Sequence, residues 1–249
     1  MPFKPWLEAK AARHELHDDS SSDEDQHYVS DFDDTADSTA DPRPKRQPPT
    51  YTVQIETGGA QIDRLVLTTP AMGSLVLSGG PSTTVGSIEL KGGLTPTRMP
   101  LKRHSALDFY WAEVGVVAPA ACYALAAAIL DTLTPELVVC LSTVPDDGLD
   151  DRRAHVLATT AAGRLEPQLQ PPNVLTGAFA AVASLGEIRG RSVAVVLADG
   201  DGIPGREYVH DEALAEAASI AGQVLQAPLA VDYDIARKQR SGFASGLYL

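Results

Sequence analysis

The residues with the strongest claim to chemistry are Asp199 and Asp201, in the run Asp199-Gly200-Asp201-Gly202 after an apolar stretch. Two carboxylates in a glycine-rich turn at the end of a strand could hold a cation or act as a base, and open α/β sheets bind ligands at such strand ends. The plainer reading, which we prefer, is a tight turn that uses Asp and Gly for their backbone preferences. The histidines offer less. His14, His17 and His27 fall in a polar N-terminal stretch, and His104, His155 and His210 have no partner acid at fixed spacing, which suits surface histidines. Cys122 and Cys140 lack a CxxC partner or a histidine at metal-ligand spacing, so both read as buried thiols in a reducing compartment, cytosol or nucleus. No Walker loop, dinucleotide fingerprint or nucleophile elbow is present; Ser78-Gly79-Gly80-Pro81 lacks the lysine and the helix that a phosphate cradle needs. The sequence therefore suggests no catalytic residue, no metal and no cofactor.

A different chemistry sits at the end of the sequence, Ser245-Gly246-Leu247-Tyr248-Leu249. The α-carboxylate of Leu249 can pair with a lysine in a pocket, a charge-assisted bond of about 1.5–3 kcal/mol net. The Tyr248 ring can fill an apolar slot while its hydroxyl finds a backbone partner, Leu247 adds aliphatic surface, and Gly246 and Ser245 form a hinge without bulk. Capture of a C-terminal carboxylate is an established recognition mode. A terminal tyrosine could equally tuck back onto its own domain.

The elements that would carry these groups follow from pattern. The net charge of −13 is concentrated: Glu15 to Asp41 contains eleven acids and no Lys or Arg, leaving −2 for the rest. With no basic stripe to displace counterions, nucleic-acid binding is disfavoured. Residues 11–49, acidic and Ser-rich and then rich in proline, cannot bury enough apolar surface to offset ordering, and are expected to be a disordered linker. Ser20, Ser21 and Ser22 each precede an acid by three positions, a pattern that suits acidophilic kinases. Residues 1–10 are less polar; Phe3, Lys4 and Trp6 suggest an apolar anchor on a long tether, able either to reach a partner or to fold back. The N-terminus has no apolar core suited to a secretory signal, and no apolar run reaches the roughly 18 residues that span a bilayer.

The folded domain is expected over residues 50–240, with a flexible tail at 241–249. Strands are predicted at Thr52–Ile55, Arg64–Thr68, Leu75–Leu77, Ser87–Leu90, Tyr110–Val117, Glu136–Leu141, Ala154–Ala158 and Arg191–Ala198, the last apolar on both faces as in parallel sheets. Helices are predicted from Pro119 to about Leu133, from about Asn173 to Ile188, from Asp211, as N-cap, to Leu225, and from about Asp232 to Gln239. Asp146 to Asp151 reads as a solvated loop, and Leu94 to Leu107 carries no recognisable motif. Strands alternating with helices in the second half, after a strand-rich first half, imply a single α/β domain with a mixed sheet, largely parallel at its core, flanked by helices.

Met1-Pro2-Phe3-Lys4-Pro5-Trp6, Leu169-Gln170-Pro171-Pro172-Asn173-Val174-Leu175-Thr176-Gly177 and Ser245 to Leu249 occur in the order that resembles the first subunit of the heterodimeric proteasome assembly chaperone, closest to its fungal members. The resemblance touches both ends and the middle and is diffuse between. It implies a fold like that of nucleoside phosphorylases without retained catalysis, and a second chaperone subunit of similar fold as partner. It also implies a place on the outer face of the proteasome α-ring, where wrong ring pairing and premature regulator binding are prevented. Leu247, Tyr248 and Leu249 then match the hydrophobic–Tyr–any-residue motif that docks between α-subunits. The alternatives are a stand-alone proteasome activator or adaptor using the same tail, and a hydrolase or phosphorylase built on Asp199 and Asp201.

Overall fold

The computed structural model describes residues 50–77, 80–93, 96–145, 152–170, 173–203 and 206–234, all within the unit Gln47–Leu249. The expected N-terminal anchor, linker and C-terminal tail, the loop Asp146 to Asp151 and most of the expected helix Asp232–Gln239 lie outside these residues.

The sheet begins where polar and apolar residues alternate. β1 (Thr52–Glu56) pairs antiparallel with β3 (Ser82–Lys91), and β3 pairs with β4 (Thr97–His104), which pairs with β5 (Phe109–Glu113). β2 (Arg64–Thr68) lies parallel between β5 and β6 (Leu137–Pro145), and β8 (Ser192–Ile203) lies parallel beside β6. β7 (Ala154–Ala158) and β9 (Arg206–Val209) pair antiparallel with β8. The order is β1-β3-β4-β5-β2-β6-β8-β7, so four parallel strands, β5, β2, β6 and β8, sit inside antiparallel flanks. This is the mixed sheet with a largely parallel core that the sequence implies.

Parallel strands are buried on both faces, and the side chains divide accordingly. Leu65, Leu67, Val138, Cys140, Val193 and Val195 pack with α2 (Pro119–Ala128) and α3 (Gly177–Ile188). Val66, Val139, Leu141, Val196 and Ala198 pack with Met72 of α1 (Pro70–Val76) and Leu214, Ala217 and Ala221 of α4 (Asp211–Leu225). Each fully buried leucine or valine contributes about 1.5–3 kcal/mol, so this two-faced burial is the main stabilisation of the four parallel strands.

Pro119 opens α2, as expected, and a wider turn, Ile129–Leu133, ends in the left-handed Thr134 before Pro135. Buried Thr159 ties the end of β7 to β8: its hydroxyl donates to Arg191 O (2.8 Å) and accepts from Val193 N (3.0 Å). Arg64 Nη1 donates to Leu225 O at 3.0 Å, satisfying a last-turn carbonyl of α4.

Several expectations need correction. Leu75 and Val76 end a helix, because Thr69 caps it through Met72 N (3.5 Å) and Pro70 supplies its first turn. Leu94 to Leu107 contains β4. The helix expected from Asn173 starts at Gly177, and the N-cap of α4 is His210, with Asp211 in the first turn. Asp199-Gly200-Asp201-Gly202 is strand, because β9 pairs with it: Gly200 faces Val209 and Gly202 faces Glu207.

His104 is buried, stacked on Phe109 with ring centroids 5.1 Å apart. Burial lowers its pKa below the usual histidine value, against a smaller upward pull from its backbone hydrogen bond. The folded state thus binds this proton less readily than the unfolded chain. Stability from His104 is complete above about pH 6.5, the unfolded value, and falls as pH drops from there toward the folded value. Chemical denaturation between pH 7.5 and 5 is expected to show a loss of at most about 1.4 kcal/mol per pH unit from this group, and His104→Gln to remove that share of the slope.

Candidate functional site

The carboxyl ends of the parallel strands are where an α/β sheet opens, because each strand there leaves for its helix. In this protein they frame a cleft of about 700 Å3. Thr69 and Pro70 follow β2, Val114 to Val117 follow β5, and Ser142 to Pro145 end β6; Leu197 and Gly200 of β8 complete the floor. The segment Val174 to Phe179, running into α3, closes the other side. Thr69, Ser142, Thr143 and Thr176 bring hydroxyls. The rest is mainly aliphatic, and among the described residues the lining has no ionisable side chain. General acid–base chemistry in this cleft would need a group from elsewhere. At its lip Val116 and Val174 are 70% and 78% exposed.

Asp199 lies one residue away from this cleft. Its register partner on β6 is Val144, and it turns inward, 4% exposed. The structure brings it to His155: Nε2 and Oδ1 are 3.6 Å apart, and both side chains are less than a tenth exposed. His155 and His104 are therefore interior residues, contrary to the surface reading of both. The Asp199–His155 pair joins β7 to β8 on the same face as the cleft, since their register partners Val144 and Leu197 line it, but neither member of the pair is itself part of that lining. The side chain of Asp201 lies outside the described residues. Sequence reasoning missed the pair because 44 positions separate its members in the chain.

Cys122 and Cys140 are both free and buried, and burial raises both thiol pKa values. Neither is poised as a thiolate nucleophile. Among the described residues no group of three or more His, Cys, Asp or Glu could hold a metal ion, and no helix is long and apolar enough to cross a membrane. Leu247, Tyr248, Leu249, Phe3, Lys4 and Trp6 lie outside the described residues, so the cleft and the buried pair are the sites whose geometry is visible.

The profile of the POC1 chaperone family matches residues 122–249, just over half of the chain. No curated protein sequence matches it. Among solved structures, Pyrococcus furiosus PbaA, an archaeal homologue of proteasome-assembly chaperone, superposes with a TM-score of 0.54 at 12% identity, over 80% of this chain and 95% of that one. A Thermoplasma acidophilum protein of unknown function gives 0.53 at 12% identity over 76% and 86%. Pyrococcus furiosus PbaB, an archaeal proteasome activator, gives 0.51 at 11% identity over 81% and 98%. At these identities the likeness is one of fold.

Proposed function

The chain belongs to the POC1 chaperone family of proteasome assembly chaperones, and from that premise we propose how it performs this role. It pairs with a second α/β chaperone subunit and binds the outer face of the α-ring through Leu247, Tyr248 and Leu249. There it blocks off-pathway ring pairing and keeps regulators away until the core particle is complete. The observation that carries the reading is the family match, which runs from α2 to Leu249 and so includes the terminal triplet. The physics of the triplet supports it: a carboxylate for a pocket lysine, a ring for an apolar slot, and a small hinge behind them. One tail offers too little surface for tight binding, so a second tail from the partner and a contact from the domain raise its effective concentration. Phe3, Lys4 and Trp6, on their acidic tether, would add a further grip on the ring or on another assembly factor. No cofactor, metal or catalytic residue enters this role, and the free thiols suit a reducing cytoplasmic or nuclear setting.

The second reading, a proteasome activator acting alone, has one observation in its favour: a protein of the same fold, PbaB, is an archaeal proteasome activator. The two part on what the protein accompanies, assembly intermediates with a partner chaperone or mature particles without one.

The test is purification of the full chain and of a chain lacking Leu247 to Leu249, each with its bound proteins. The full chain is expected to bring down α-subunits and a second α/β chaperone. The truncated chain is expected to lose α-subunits about tenfold or more, keep the partner, and melt within about 2 °C of the full chain, since a hot-spot side chain carries binding energy rather than fold. Recovery of mature proteasomes without a partner chaperone would favour the activator. Absence of proteasome subunits from both preparations would remove the reading.

A further inference from the structure

The two faces of the sheet carry unlike helices. On α4 the outward positions include Glu212, Glu216, Ser219 and Gln223, the polar surface of a solvated helix. On the other face no charged residue occurs from Pro119 to Leu130, nor from Gly177 to Gly186. The exposed or half-exposed positions there include Ala120, Tyr123, Ala127, Ala181 and Ile188, at helical spacing. Tyr123 is 63% and Ile188 79% exposed. Val116 and Val174, at the cleft lip, lie three residues before α2 and α3. Four of the six large apolar side chains exposed among the described residues thus belong to these helices and the segments that lead into them. Charge returns only at the far end, where Arg189 Nη1 meets Asp131 Oδ1 at 2.7 Å and Glu187 is held by Thr160. An apolar centre with charge at its edge is the anatomy of a protein interface.

We propose that the α2–α3 face is the surface on which the second α/β chaperone subunit seats, an inference that rests on the chaperone reading above. Its size fits such a partner. Fifteen residues from Pro119 to Leu133 and twelve in α3 give helices of about 22 and 18 Å. With axes about 9 Å apart and a helix width of about 10 Å, the pair covers roughly 400 Å2 of flat footprint. The cleft lip extends it toward the ~600 Å2 per partner at which stable interfaces begin. The small Ala120, Ala127 and Ala181 let a partner's helices approach closely, and Tyr123 and Ile188 supply the anchors.

A photoreactive benzophenone side chain placed at position 123 of the full chain, purified with its bound proteins, tests this, with the same group at position 212 on α4 as control. The expected adduct from position 123 is a second chaperone chain of the same fold and different sequence, identified by mass spectrometry, with none from position 212. An adduct with another copy of this chain, an adduct with a proteasome α-subunit, a partner adduct from position 212 alone, or no adduct from a complex that does contain the partner would each overturn the assignment. A Tyr123→Glu, Ile188→Glu double variant is expected to lower partner recovery about tenfold or more while keeping the native melting temperature to within a few degrees. Undiminished partner recovery in that variant would also overturn it. If the full chain brings down neither a chaperone nor proteasome subunits, the functional reading fails, and this one with it. That failure shows before irradiation and is distinct from a misplaced interface.

Discussion

Gly86→Ala is expected to lower the melting temperature by about 5–10 °C, a loss of about 3 kcal/mol for a domain of this size. Gly86 sits at the irregularity in β3, where the register with β4 shifts between Thr84 and Gly86. A Cβ built there overlaps the Glu56 carbonyl, and Thr57 Cα lies 3.1 Å away. Both are backbone atoms, so no rotamer change relieves the clash; β1 must move. Moving β1 undoes the pairs Glu56–Ser87 and Ile55–Ile88 and exposes the aliphatic surface of Val53 and Ile55, which pack on the core. Hydrogen exchange at the amides of β1 should therefore rise more than at β6 or β8. Gly115→Ala is the matched control, because a Cβ there meets nothing within 4 Å. Its melting temperature is expected to stay within about 2 °C of the unsubstituted protein. Equal melting of both variants would mean that β1 does not seat on β3 in this register.

How far the sequence reveals this fold depends on whether the signal is local. β2 and β7 are expected at the residues where they occur, and Pro119 marks the start of α2, because their periodicity and punctuation lie within each segment. α1 is missed: its start signal, Thr69-Pro70, goes unread, and the apolar Leu75-Val76-Leu77 before Gly79 is taken for a strand. β4 is obscured by Pro100 and by Arg98, Lys102 and Arg103. Only its pairing with β3 shows Met99 and Leu101 turned into the core. Asp199-Gly200-Asp201-Gly202 has the composition of a turn, and it is strand because β9 supplies the pairing that composition does not encode. The same distinction divides the candidate sites. The terminal triplet is legible because its chemistry is contiguous. The cleft and the α2–α3 face are not, since they gather residues from four strands and two helices. The Asp199–His155 pair exists only through the antiparallel register of β7 on β8.

That pair also yields the second large effect. His155→Leu is expected to cost about 2–3 kcal/mol, or about 4–10 °C in melting temperature, because it replaces the imidazole 3.6 Å from the buried Asp199 carboxyl with a side chain that can neither donate a hydrogen bond nor carry charge. Asp199 remains tied through its backbone, Asp199 N donating to Arg153 O at 2.8 Å, so the strand stays in register and the carboxyl cannot leave. Adding Asp199→Val to His155→Leu removes the mismatched group and is expected to restore about 1–2 kcal/mol, since a buried polar pair replaced by apolar residues of suitable volume is often near neutral. A double-mutant cycle by chemical denaturation measures this coupling, and α-ring binding is expected to be unchanged in the double variant. The hydrolase or phosphorylase alternative makes the opposite forecast. For it Asp199 works on a substrate, so Asp199→Asn would abolish turnover and His155→Leu would leave stability nearly untouched. The burial of both side chains, and their absence from the lining of the cleft, favour the structural role. Unchanged melting in His155→Leu would return the strand end beside the cleft to consideration as an active site.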